Sequence, residues 1–157
     1  MIEVRNITIP QLTGKEQRNA YVYIPDAAEL HPEMRFPVLY MFDGHNVFFD
    51  SHATYGKCWG LKDFLDNWDR KVILVGIECG HEGDERLSEY LPYRTVTPAK
   101  WSMLKPMGRA TMEWIVNEIK PMIDEAYRTI PFRECTAIGG SSMGGIMALY
   151  AGVHYNR

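Results

Sequence analysis

The chain lacks any run near the ~18 apolar residues that a membrane-crossing helix needs. Its amino terminus, Met1-Ile2-Glu3-Val4-Arg5, is charged where a secretory leader would be apolar. Both absences argue against a membrane role, and the sequence reads as cytoplasmic. A basic excess is also missing: 17 Lys and Arg stand against 20 Asp and Glu, for a formal net charge of -3. No broad positive field is available to gather phosphate backbones, so nucleic acid is not an expected partner. Cysteine is scarce. Cys58, Cys79 and Cys135 are odd in number and show neither C-x-x-C spacing nor a nearby histidine pair. Neither a disulfide framework nor a structural zinc site is therefore indicated. Cys79 reads as a small buried hydrophobe, with a strand-end nucleophile as the alternative.

What is present suits one globular domain over residues 1–157. The composition is 46% hydrophobic and 24% charged, with no low-complexity segment. Ile2 to Ile9 and Arg18 to Ile24 alternate partly about Pro10-Gln11-Leu12-Thr13-Gly14-Lys15, which predicts an antiparallel hairpin. Val38-Leu39-Tyr40-Met41-Phe42 is apolar on both faces, as in a buried central strand, and ends at Asp43-Gly44. Trp59, Leu61, Phe64, Leu65 and Trp68 recur at helical spacing, predicting an amphipathic helix near 57–69 before a second apolar strand, Val72 to Ile77. Strand, helix, strand implies a parallel crossover. A further helical stripe runs from Met112 to Tyr127. The strand Cys135 to Gly139 then feeds a turn, and a last helix spans about Met143 to Tyr155. The stretch from Cys79 to Gly108 holds three prolines and no sustained periodicity, and loops of that length in compact domains are usually functional or disordered. Its Arg86, Tyr90, Tyr93, Arg94 and Trp101 could line a site at the carboxyl edge of the sheet, or simply pin a solvated excursion.

The turn is Gly140-Ser141-Ser142-Met143-Gly144, a G-x-S-x-G pattern centred on Ser142. A serine on a sharp strand-to-helix turn needs small residues two before and two after it, and Gly140 and Gly144 supply them. Ser141 does not fit, because Met143 stands where its second glycine should be. The Ser142 hydroxyl would project at a helix amino terminus, where free N–H groups favour developing negative charge, and the Met143 N–H is the first oxyanion donor. A second donor should come from the loop after the earlier central strand, and the His45 N–H of Phe42-Asp43-Gly44-His45-Asn46 is the candidate. Asp43 would fix that loop by hydrogen bonding. The alternative is a plain strand–helix corner or a phosphate cradle.

The segments Pro37 to Phe48, Tyr90-Leu91-Pro92-Tyr93, Pro121-Met122-Ile123-Asp124 with Tyr127-Arg128, and Ile138 to Gly145 resemble the Putative esterase family of α/β-hydrolases. That family includes enterochelin-type, feruloyl and acetylxylan esterases and S-formylglutathione hydrolase. The resemblance implies the α/β fold: the amino-terminal part of an α/β-hydrolase sheet, early antiparallel strands then parallel strands with crossover helices, ending just after the elbow helix. It also implies hydrolysis of a small-molecule ester through an acyl-serine, with the triad in the order Ser, Asp or Glu, His. Ser142 carries over as nucleophile, with Met143 and His45 as oxyanion donors. Tyr90, Tyr93, Arg94 and Trp101 are candidate substrate-loop residues. No metal or organic cofactor is implied.

The acid and base do not carry over, since the family places them on later loops. His154 follows Ser142 by twelve residues on the elbow helix, about 18 Å along its axis, which excludes it. His31 and His81 have no evident path to the serine, whereas His45 and His52 lie in the loop at the active edge. The expectation is a truncated hydrolase domain, inactive or weakly active alone, with a long apolar parallel edge left bare. That edge would pair with a missing carboxy-terminal portion or a second copy. The alternative function is a non-catalytic binding or assembly protein on a hydrolase scaffold.

Overall fold

Alternating side chains in the first 23 residues build an antiparallel pair, β1 (Ile2–Thr8) and β2 (Gln17–Tyr23), in register from Ile2 opposite Tyr23 to Thr8 opposite Gln17. The computed structural model describes residues 1–12, 14–96 and 102–156. A short helix α1 (Ala27–Leu30) leads to β3 (Val38–Phe42), and α2 (Leu61–Asn67) leads to β4 (Ile73–Ile77). α3 (Glu85–Glu89) lies within the stretch that shows no periodicity. A longer helical run follows, made of α4 (Gly108–Trp114), a π-helical turn at Ile115–Ile119, and α5 (Lys120–Ala126). Then come β5 (Thr136–Gly139) and α6 (Met143–His154).

The sheet order is β1-β2-β4-β3-β5. β2 pairs antiparallel with β4, while β3 is parallel to both β4 and β5. This is the mixed α/β sheet expected, antiparallel first and parallel after, and it puts the carboxyl ends of β3, β4 and β5 at one edge. All five residues of β4 are buried, as the apolar run predicts for a central strand. One face of the sheet packs Val22, Tyr40, Phe42 and Val75 against Met112, Ile115, Ile123 and Met147 of the later helices. The other packs Tyr21, Tyr23 and Leu74 against Val47, Phe48 and Leu65.

Three departures from the sequence pattern have local causes. α2 begins at Leu61 rather than near 57 because Gly60 takes φ 68, a left-handed conformation that stops the helix from extending backwards. Of its expected apolar stripe only Leu65 is fully buried; Trp59, Phe64 and Trp68 are exposed, with Phe64 and Trp68 packed on each other. In the 108–126 run, the Pro121 ring lacks an N–H and would meet the carbonyl four residues back, at Asn117. The wider π turn at that point makes room for it. Finally, the bare edge is short: β5 has four residues, and a groove of about 720 Å³ runs beside it between α6 and the 108–126 helix. Ile146, Leu149 and Val153 form an exposed apolar stripe along α6. Among the described residues no helix is long and apolar enough to cross a membrane.

Candidate active site

β5 runs straight into the elbow, and the chain reverses there into α6. Ser142 adopts φ 55 and ψ −120, a backbone state that L-residues avoid and that costs about 1–3 kcal/mol. The flanking glycines are required by contact. A Cβ at Gly140 would lie 2.6 Å from the backbone carbonyl of Gly144, and one at Gly144 would lie 3.0 Å from the Cβ of Phe42. Ser141 and Ser142 are exposed, whereas Met143 and Gly144 are buried, so the serine stands at the surface on a packed helix start. As the first residue of α6, Met143 has an N–H without an intrahelical acceptor.

The same Gly144 position lies 3.4 Å from Asp43 Oδ2, which brings the loop after β3 against the elbow. In that loop Asp43 is left-handed (φ 58, ψ 45), and Gly44–Asn46 form one 3-10 turn. Gly44 presses on β4: a Cβ there would fall 2.2 Å from the carbonyl carbon of Gly76. The Asp43 carboxylate accepts two hydrogen bonds from Arg86, at 2.7 and 2.8 Å, in the bidentate form that carboxylate and guanidinium geometry favours. Its backbone N–H donates to the Tyr90 hydroxyl at 3.1 Å. Arg86 also lies over the Tyr90 ring, and Tyr90 meets Phe42 edge-on. Burial first, and the Asp43 charge second, raise the Tyr90 phenol well above its ordinary range, so it stays a neutral support for the loop.

Of the residues nominated from sequence, Ser142, Met143 and the His45 loop converge at this edge. Tyr90 is fully buried and braces Asp43. Tyr93 is exposed and packs against α6, its hydroxyl 2.6 Å from His154 Nε2 and its ring edge-on to Tyr150. Arg94 is exposed, and Trp101 lies outside the described residues.

Each of the five imidazoles has a partner other than Ser142. His31 sits 3.8 Å from Glu33. The His45 ring turns inward to Thr54 Oγ1 at 2.9 Å, and His52 meets the Tyr21 hydroxyl at 3.1 Å. His81 pairs with Glu78 at 3.0 Å, and His154 with Tyr93. Burial, followed by the neighbouring His81, pushes the His45 pKa below its ordinary 6.5, so the ring stays neutral. Burial also pushes the Cys79 thiol up, helped by the Asp43 carboxylate, which favours a packed thiol over a nucleophile.

Residues 12–157 match the profile of the family described as Putative esterase. The chain belongs to that family. It is 23% identical over 121 residues to the uncharacterized protein YbbA of Bacillus subtilis, a match covering 76% of this chain and 45% of that protein. Its fold superposes on an IroE-like serine hydrolase from Shewanella oneidensis with a TM-score of 0.68 at 24% identity, covering 96% of this chain and 46% of that one. The BES protein from Bacillus cereus gives 0.66 at 21% identity, covering 96% and 55%. The chain thus spans about half the length of these relatives.

The role of Arg86 was not legible beforehand. Neither was a second grouping, in which His45, Cys79 and His81 place their ligand atoms within 4.8 Å of one another. Spacing along the chain hides it, because His45 stands far in sequence from Cys79 and His81. The available signal was topological: His45 and the Cys79-Gly80-His81 segment follow β3 and β4, which are adjacent and parallel, so both leave the sheet at the same edge.

Proposed function

We propose that the chain forms the nucleophile half of a serine carboxylic ester hydrolase, with Ser142 attacking the ester carbonyl and the backbone N–H groups of Met143 and His45 receiving the oxyanion. The observation that carries this reading is the backbone of Ser142, held at φ 55 between Gly140, which tolerates no Cβ, and Gly144, where one would crowd Phe42. Such strain persists only where the surrounding structure enforces it, and it sets the hydroxyl at the start of α6. The family membership and the serine hydrolase among the matched folds support the same chemistry. In the step itself the Ser142 oxygen bonds to the carbonyl carbon, the tetrahedral oxyanion collapses, and the alcohol leaves with a proton. Water then releases the acid. The ester is a small molecule, and Tyr93, packed on Tyr150 and His154 in the carboxyl-terminal half of α6, stands away from Ser142 at its amino end.

With its imidazoles engaged elsewhere, this chain relies on water to take the serine proton. Hydrolysis by the chain alone is therefore slow, of the order left when a triad is disabled and only oxyanion stabilisation remains, roughly 10³–10⁴ over the uncatalysed reaction. Release of p-nitrophenol from p-nitrophenyl acetate measures it. The expected outcome is slow hydrolysis that Ser142→Ala abolishes; equal rates in the two proteins would overturn the assignment of Ser142.

A further inference from the structure

We propose that His45 Nδ1, Cys79 Sγ and His81 Nδ1, gathered where β3 and β4 leave the sheet, form a binding site for one borderline-soft divalent metal ion of the Zn²⁺ class. The site does not depend on the hydrolytic reading. One nitrogen of each histidine and the Cys79 sulfur lie within 4.8 Å of one another, and around a shared zinc the ligand atoms would stand about 3.3 to 3.6 Å apart. Closing that gap needs about an ångström of movement. His81 can supply it, since 52% of its side chain is exposed and it sits in an irregular segment after β4.

Each histidine has one nitrogen committed and one left over. His45 Nε2 is bonded to Thr54 Oγ1, while Nδ1 is buried without a hydrogen-bond partner. An orphaned polar atom on a ring only 3% exposed is costly in a native interior, and a metal ion would satisfy it. His81 gives Nε2 to Glu78 Oε1 at 3.0 Å, and the other oxygen of Glu78 accepts the Asn19 N–H at 2.7 Å. A carboxylate behind an imidazole fixes its tautomer and orients the free nitrogen, the usual outer support of a histidine ligand. The two rings meet edge-on with centroids 4.6 Å apart, so both are already collected at one point.

Two nitrogens and one sulfur select against Mg²⁺ and Ca²⁺, which prefer oxygen, and suit Zn²⁺ or Co²⁺. Binding replaces the Cys79 S–H by an S–metal bond, and the proton leaves to solvent. A fourth position remains for water.

The test is calorimetric titration of the reduced chain with Zn²⁺ in two buffers of different ionisation enthalpy, with Co²⁺ absorption as a second reading. The expected result is one ion per chain with about one proton released, a thiolate-to-cobalt charge-transfer band, and affinity at least ~10-fold weaker in His81→Ala. The exposed position of His81 keeps that variant folded. Three results would each overturn the site: no saturable binding, binding unchanged by His81→Ala, or a Co²⁺ complex without a thiolate band.

Discussion

The loop after β3 and the elbow after β5 meet at one edge of the sheet, and each holds a non-glycine residue at positive φ: Asp43 at 58 and Ser142 at 55. They are secured in opposite ways. Asp43 is buried, clasped by Arg86 through two charged hydrogen bonds and by Tyr90 through its N–H, while Gly44 beside it rests on the backbone of Gly76. Ser142 is exposed, and what holds it is exclusion: glycines at 140 and 144 let the strand and helix close where a side chain at 140 would collide and one at 144 would crowd Phe42. The loop is fixed by bonds and the elbow by shape. The difference suits their proposed roles, because an oxyanion donor must not move when charge develops, whereas a nucleophile must stay open to substrate.

Breaking the loop should cost most. Gly44→Ala sets a methyl 2.2 Å from the Gly76 carbonyl carbon, with backbone on both sides and no flexible side chain to yield. A loss above about 4 kcal/mol, or failure to fold, is expected in urea unfolding. Arg86→Ala should come next. It leaves the Asp43 carboxylate, only 2% exposed, without its cation, and removing one partner of a buried pair costs about 3–5 kcal/mol. Because Arg86 itself is about one-third exposed, the lower end is expected, read as a fall in melting temperature. The elbow should respond least and with the opposite sign. Ser142→Gly relieves the strained φ and should stabilise the chain by about 1 kcal/mol, while Ser142→Ala, which keeps the strain, should not. A stabilisation shared by both variants would show that the serine hydroxyl, not the backbone, carries the cost.

Much of the edge was legible in the sequence because its requirements are local. The glycines around Ser142, the apolar strand before Asp43-Gly44 and the parallel crossover all follow from patterns within a dozen residues. What bound them together was not local. Arg86 reaches Asp43 across 43 positions of chain, from a stretch whose prolines and lack of periodicity concealed α3. Tyr90 looked like a substrate contact because an aromatic in a long loop can face either way, and only packing on Phe42 shows that it faces in. The His45, Cys79 and His81 grouping was hidden for the same reason: its members follow different strands, and their proximity is a property of the sheet order. Amphipathic spacing at Trp59, Phe64 and Trp68 misled, because a short α2 buries a single turn's worth of side chain.

Under the proposed function, the strained serine at the elbow is the group that reacts. Intact-mass analysis with peptide mapping, after prolonged incubation with excess organophosphorus fluoride to allow for a serine whose proton goes to water, tests it directly. One adduct per chain, on Ser142 and absent in Ser142→Ala, is the predicted result. Modification of another residue, or none under conditions that keep the chain folded, would contradict it.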